Sequence, residues 1–217
     1  MKIGIIGGTG PQGQGIALRL AKAGIKVDIG SRTINKSTQV AESCNKLINT
    51  SDITGCTNED VIKNNKIIFL TIPYENVQST LEPLLELIKS HTSVLVDVTV
   101  PLTFEKGSGM VYVPVEHGSM AAFIAKIIQP IPVVGALKTI GAHALLELEK
   151  PLNRDTFVFG PDPFRKEIME LLSQIDTLRA INAGSLREAE CVERMVPFLI
   201  NINRRYKVKD SGLKVIM

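Results

Sequence analysis

A short apolar run, Lys2-Ile3-Gly4-Ile5-Ile6, passes directly into Gly7-Gly8-Thr9-Gly10-Pro11-Gln12-Gly13, and no other stretch of the chain limits its fold as tightly. The order is a strand followed by G-x-G-x-x-G. Beyond Gly13 the apolar residues Ile16, Leu18, Leu20 and Ala21 fall among Ala17, Arg19 and Lys22 with helical spacing, and Gly24 stands where a helix would end. A second strand is predicted over Lys26 to Gly30, so strand, glycine turn, helix and strand fit within one βαβ unit. In that setting each glycine is expected to have a task. Gly8 would let the backbone turn tightly, Gly10 would let a pyrophosphate approach where a Cβ would intrude, and Gly13 would let the helix pack closely. The helix N-terminus would then offer free N–H groups and a partial positive charge to the phosphates.

The end of the second strand selects the dinucleotide. An acidic residue there accepts from the ribose hydroxyl of NAD, whereas arginine accommodates the additional 2′-phosphate of NADP. Here the strand ends Gly30-Ser31-Arg32, with Lys36 one helical turn further on. Thr9 and Ser31 can supply hydroxyls and Arg32 and Lys36 charge, which reads as NADP(H). The competing residue for NAD is Asp28, which lies inside Val27-Asp28-Ile29, before the strand ends.

Alternation of strands and helices is predicted to continue to about residue 137, with strands at Ile53-Thr54-Gly55, Lys66 to Thr71, Ser93 to Thr99 and Pro132 to Leu137. A helix is expected over Asn76 to Lys89, where Val77, Leu81, Leu84, Leu85 and Ile88 recur at three and four. Continuous apolar strands joined by helices imply a parallel sheet covered on both faces. Ile72-Pro73 and Val100-Pro101 turn the chain at the carboxyl edge, where ligands bind in such sheets. The last third reads as a strand at Thr156 to Gly160, a helix from Pro163 to Ile175, a strand at Leu178 to Ile181, and a long helix from Leu186 to Arg205 with Ser185 as its N-cap. The expected fold class is α/β, a Rossmann-type doubly wound parallel sheet with a small C-terminal α+β lobe. Residues 1–140 would form the NADP-binding domain and residues 141–217 a lobe packed on the cofactor cleft.

Bulk properties exclude other classes. At 217 residues and 44% hydrophobic, the chain can bury a sizeable core. A formal charge of +3 with dispersed basic residues argues against nucleic acid, the cluster Arg204-Arg205-Lys207-Lys209 reading as a solvated helix end. The apolar stretch from Ala121 to Leu137 is interrupted by Lys126, Gln129, Pro130 and Pro132, and the start shows no leader pattern, so neither a membrane span nor export is expected. Cys44, Cys56 and Cys191 are too scattered for a disulfide framework, and His91, His117 and His143 lack ligand spacing. A cytoplasmic location without a metal site follows as the expectation. No Ser-His-Asp, Cys-His or paired-carboxylate constellation is present, which suits hydride transfer, where the protein sets two rings at reacting distance.

Several further segments carry a family resemblance. Gly7-Gly8-Thr9-Gly10 with Gly30-Ser31-Arg32, Ile53-Thr54-Gly55 with Asn58-Glu59-Asp60, Leu70-Thr71-Ile72-Pro73, Ala136-Leu137-Lys138-Thr139-Ile140, Gln174-Ile175-Asp176-Thr177-Leu178-Arg179 and Asn182-Ala183-Gly184 resemble the NADPH-dependent reductases of the deazaflavin coenzyme F420. The resemblance runs nearly end to end. It implies hydride transfer between NADP(H) and F420 as co-substrate, the two rings stacked face to face. Cofactor binding would fall to Gly8, Thr9, Gly10, Pro11, Gln12, Gly13, Ser31, Arg32, Lys36, Thr71, Ile72, Pro73, Ala136 and Thr139, with Thr71-Ile72-Pro73 beside the nicotinamide.

The chain departs from the family where the acceptor should rest. Leu137-Lys138-Thr139-Ile140-Gly141 stands where the family commonly has Leu-His-Thr-Ile-Pro. Lys138 is therefore the catalytic candidate, its ammonium expected to project into the cleft and stabilise negative charge on the reduced ring. It could also mark a different acceptor, a flavin or a ferric species, or be an ordinary surface lysine. Asp97, after a buried-looking Val-Leu-Val run, reads as an acceptor for loop N–H groups. A non-catalytic NADPH-binding redox sensor is the remaining alternative. In the last helix, Met195, Phe198, Leu199 and Ile202 suggest a homodimer interface as readily as a core face.

Overall fold

The computed structural model describes residues 1–217, and its first half alternates as the sequence predicts. β1 (Lys2–Ile6), α1 (Pro11–Lys22), β2 (Lys26–Ser31), α2 (Ile34–Ile48), β3 (Ile53–Thr57), α3 (Asn58–Asn64) and β4 (Ile67–Leu70) follow one another without interruption. α1 starts at Pro11 because proline's missing N–H costs nothing in the first turn, and Gly10 is its N-cap. Thr57 caps α3, its hydroxyl accepting from the Asp60 N–H at 3.1 Å.

Two sequence expectations change in the next stretch. The single helix expected over Asn76 to Lys89 is broken into 3-10 turns at Tyr74–Asn76 and Glu82–Leu84, with α4 (Val77–Leu81) and α5 (Leu85–His91) beside them. Pro83 accounts for the second turn, since it donates no N–H to the carbonyl four residues before it. The apolar stripe nonetheless stays on one side, with Val77, Leu81, Leu84 and Ile88 all buried. After β5 (Val94–Asp97) the alternation pauses for an antiparallel hairpin, β6 (Leu102–Glu105) and β7 (Gly109–Tyr112), which the helix-and-strand reading passed over. The chain then returns through α6 (Met120–Ile127) to β8 (Val133–Gly135).

The six parallel strands lie in the order β3-β2-β1-β4-β5-β8, the doubly wound arrangement whose direction reverses between β1 and β4. Both faces are covered. One apolar cluster runs through Ile3, Ile5, Leu18, Phe69 and Val96, and the other through Ile6, Ile68, Leu95, Ile124 and Phe159. Both draw residues from either side of residue 140, so the C-terminal third shares its core with the sheet.

That third consists of α7 (Ala142–Leu146), β9 (Arg154–Val158), α8 (Phe164–Leu172), β10 (Leu178–Asn182) and α9 (Ala189–Tyr206). β9 and β10 pair in parallel around α8, a small crossover unit. Ser185 takes its expected capping place, accepting from the Arg187 N–H at 3.3 Å, although a 3-10 turn at Leu186–Glu188 precedes α9. Phe159 joins this unit to the large sheet: its backbone exchanges hydrogen bonds of 2.8 and 3.1 Å with Gly135 at the end of β8. Its ring fills the space where a Cβ on Gly135 would stand, only 2.1 Å from it.

α7 is fastened by one side chain. The buried Arg19 of α1 donates to the carbonyls of Leu145 at 3.0 Å, Ala144 at 2.9 Å, Glu147 at 2.7 Å and Lys150 at 3.2 Å, satisfying the open end of a helix only five residues long. Arg19→Met keeps the apolar stem and leaves those carbonyls without donors. A loss of about 2–3 kcal/mol is expected in urea unfolding. A loss below about 0.5 kcal/mol would show that water replaces the guanidinium.

Candidate functional site

The glycine turn lies at the carboxyl edge of β1, at the point where the strand order reverses. Gly7, with φ of +74°, makes the tight turn that was expected of Gly8. Gly8 is instead needed for close approach, because a Cβ there would meet Cβ of Ile29 on β2 at 2.7 Å. Gly13 packs on the turn itself, its absent Cβ falling 2.6 Å from Cα of Gly8. Gly10 faces open space: a Cβ built on it meets nothing nearer than the Gly7 carbonyl oxygen at 3.7 Å. No side chain caps α1, and the N–H groups of Gln12 and Gly13 take no partner within the protein. Unpaired amides beneath a bare backbone make a place for an anion.

A cleft of about 600 Å³ opens from this turn. Gly7, Thr9 and Gly10 form one wall, Ser31, Arg32 and Lys36 a second, and Thr71, Ile72 and Pro73 a third. The wall carries two cations, Arg32 and Lys36, against one carboxylate, Glu59. Gln14 steadies the turn by donating to the Thr9 carbonyl at 2.8 Å, and Thr71 ties β4 to β1 by donating to the Ile6 carbonyl at 3.1 Å. The Ser31 hydroxyl accepts from the Thr33 N–H at 3.4 Å at the start of α2. Two smaller hollows, of about 450 and 260 Å³, lie near the C-terminal end of α1 and contain none of the predicted site residues.

Other predicted residues stand behind the cleft or beside it. Pro11 is exposed at the first turn of α1, and Gln12 donates to the Ile140 carbonyl at 3.1 Å, joining the glycine turn to the segment after β8. Ala136 and Thr139 are buried in that segment, and the Thr139 hydroxyl has no hydrogen-bond partner. Asp28, the residue that would have favoured NAD, is sealed in β2 with Lys2 at 2.7 Å and the Asn65 side-chain amide at 2.8 Å. It does not reach the cleft.

Lys138 requires a correction. Its ammonium neither projects into the cleft nor reaches solvent: the side chain is 0% exposed, bound to Asp97 at 2.6 Å, to Glu193 of α9 at 3.1 Å and to the Thr99 carbonyl at 2.5 Å. Leu137, with φ of +56°, turns the backbone so that the residue after it faces inward. A buried cation must be paired, and two carboxylates supply the pairing. Burial by itself would lower the affinity of Lys138 for its proton, but Asp97 and Glu193 outweigh it and hold the ammonium above the ordinary lysine value. For Glu193, burial pushes the carboxyl above the usual range, and Lys138 offsets this only in part because Asp97 acts in the opposite sense. Asp97 also accepts from the Thr99 N–H at 2.8 Å and the Thr99 hydroxyl at 2.6 Å, the loop-holding role its position suggested.

The sequence reading missed part of the cleft and all of Glu193. Asn58, Asn76, Ser79 and Thr80 also line the cleft. Asn58 directly follows β3, so the rule that ligands bind past the strand ends could have found it. Glu193 had no such signal, being one charge among many on α9.

Comparison with known proteins finds relatives along the whole chain. The sequence profile of the family described as NADP oxidoreductase, coenzyme F420-dependent, matches residues 2–101. The F420-dependent NADP reductase of Methanocaldococcus jannaschii is 36% identical over 99% of this chain and 98% of its own. That of Methanothermobacter thermautotrophicus is also 36% identical, over 99% and 94%. Among solved structures, a chain from Arthrobacter sp. FB24, provisionally described as an F420-dependent NADP-reductase, superposes with a TM-score of 0.82 at 23% identity over the whole of both chains. An imine reductase from Streptomyces aurantiacus gives 0.59 at 18%, over 93% of this chain and 61% of that one, a likeness of fold. No helix is long and apolar enough to cross a membrane.

Proposed function

This chain belongs to the F420-dependent NADP oxidoreductase family, and from that premise we propose that it transfers a hydride between NADP(H) and the deazaflavin coenzyme F420. One observation carries the reading beyond the family: the cleft joins an uncapped, Cβ-free helix start to a cationic pair at the end of β2. In this reading Gly8 to Gly13 seat the pyrophosphate, and Thr9, Ser31, Arg32 and Lys36 hold the 2′-phosphate. Thr71, Ile72 and Pro73 lie beside the nicotinamide, with Ala136 and Thr139 toward the acceptor. The nicotinamide and the deazaflavin supply the redox chemistry when bound. The protein orients the two rings and excludes water.

Adding NADPH to the pure protein with oxidised F420 should bleach the visible band of F420 at a rate proportional to enzyme. Failure to do so, with a flavin or ferric species reduced in its place, would reassign the acceptor. The 2′-phosphate assignment is tested separately. Arg32→Ala is expected to weaken NADP by about tenfold to a hundredfold and to leave NAD nearly unchanged, as shown by titration of both cofactors. Equal losses for both would remove Arg32 from the 2′-phosphate site.

The same proposal treats residues 1–140 as the NADP-binding domain and 141–217 as a small C-terminal lobe packed on the cofactor cleft. It places the enzyme in the cytoplasm, acting on small molecules without nucleic acid or membrane. It takes the outer face of α9, where Phe198 is 58% exposed beside the half-buried Met195 and Ile202, as a homodimer contact. Sedimentation of the wild type and Phe198→Glu would decide the last point.

A further inference from the structure

We propose that Glu193 is a positioning residue for hydride transfer: from α9 it fixes, through the Lys138 ammonium and the start of α6, the strand ends on which the two rings would stack. The inference rests on the cleft reading above. β4, β5 and β8 end level with one another at Leu70, Asp97 and Gly135, and the cleft wall Thr71-Ile72-Pro73 follows directly from the first of them. The loops leaving β5 and β8 are clamped together by Lys138, which reaches Asp97 at 2.6 Å and the Thr99 carbonyl at 2.5 Å. Lys138 is in turn held from the far side by Glu193 at 3.1 Å.

The carboxylate of Glu193 does more than pair with the ammonium. Its oxygens accept from the N–H groups of Met120 at 3.0 Å and Ala121 at 3.2 Å, the open start of α6, and from the Tyr112 hydroxyl at 3.3 Å on β7. β7, α6 and the segment after β8 therefore meet on one side chain of α9 that has no exposure to solvent. Two residues past Lys138, the Ile140 carbonyl accepts from the Gln12 side-chain amide, which holds this segment beside the start of α1. A carboxylate accepts on both oxygens, whereas an amide must present N–H donors to one set of partners, either Lys138 and the Ala121 N–H, which share one oxygen, or the Met120 N–H and the Tyr112 hydroxyl, which share the other. Glu193→Gln thus preserves shape and breaks the clamp.

The test combines three readouts on the full chain, with Glu190→Gln as a control, because Glu190 pairs with Arg194 in solvent on the same helix. Glu193→Gln should slow single-turnover hydride transfer from NADPH to F420 by about tenfold or more while the Kd for NADPH stays within about twofold. Amide hydrogen exchange should rise at residues 98–101 and 136–140 and remain as in the wild type across residues 2–31. An unchanged transfer rate would overturn the proposal, as would a rate and an NADPH affinity that fall together. If the wild type does not reduce F420, the proposed function fails on its own, and the exchange pattern still decides the clamp: unchanged exchange at the two segments refutes it. Should Glu193→Gln not fold, Glu193→Asp keeps the charge, withdraws it by one methylene and is read in the same three ways.

Discussion

Gly10→Val is expected to abolish measurable NADPH binding while the protein stays folded. Gly10 has φ of −78° and ψ of 164°, extended values that valine adopts readily, and a Cβ there approaches nothing closer than 3.7 Å. The branched side chain would occupy the space above the free N–H groups of Gln12 and Gly13, where the pyrophosphate must come within hydrogen-bonding distance. Calorimetry should show affinity reduced by at least about a hundredfold, about 2.7 kcal/mol. A thermal melt should move by less than about 4 °C, corresponding to at most about 1 kcal/mol in a chain of this size. Retained binding would show that the turn is structural and that the phosphates lie elsewhere.

Lys138→Met should be the most destabilising of the substitutions considered. Removing the ammonium leaves Asp97 and Glu193 facing each other with no exposure and no cation, and breaking a buried pair in this way costs about 3–5 kcal/mol. The penalty should depend on pH. Burial already holds the Glu193 carboxyl above its usual range, and the variant removes the Lys138 charge that opposes this, so its folded pKa lies further above the unfolded value of about 4 and the folded state gains stability on acidification. That gain is complete below the unfolded value and lost as pH rises through the folded one. Urea unfolding of wild type and variant should therefore differ less at pH 5 than at pH 8. An equal difference at the two pH values would mean that the carboxylates find other partners. In the wild type, the stabilisation from the raised Lys138 value is fully present below the unfolded lysine value of about 10.4 and lost as pH rises through the higher folded value.

Local signals made the cofactor half legible. Strand, glycine turn, helix and the Ser31-Arg32 ending lie within thirty-odd consecutive residues, and the structure brings Thr9, Gly10, Ser31, Arg32, Lys36, Thr71, Ile72 and Pro73 to one cleft. The details that failed depend on backbone dihedrals or on distant neighbours. Which glycine turns the chain, Gly7 or Gly8, is a question of φ and of how near Ile29 comes. Pro83 divides a helix whose apolar spacing alone reads as continuous, because the break leaves the buried side unchanged. Lys138 was misplaced for a deeper reason. Its surroundings are Asp97, 41 residues before it, and Glu193, 55 residues after, and no window of sequence shows that two carboxylates converge on one lysine. An inward-facing residue after β8 follows from Leu137 adopting positive φ, which leucine rarely does and its sequence does not announce.

The pairing of Phe159 with Gly135 has a consequence for biogenesis. β8 is the last strand of the large sheet, and an unpaired strand edge is a template for association with other chains. In the finished protein Phe159 occupies that edge with two backbone hydrogen bonds and covers it with its ring. During synthesis the sheet can assemble some twenty residues before Phe159 is available, so the nascent chain passes through an interval in which β8 is bare. The glycine that admits the phenyl ring also leaves the strand without a side chain to guard itself. Protection from aggregation is thus supplied by a later part of the chain, and a ribosome paused before that part emerges would hold a sheet ready to pair with its neighbours.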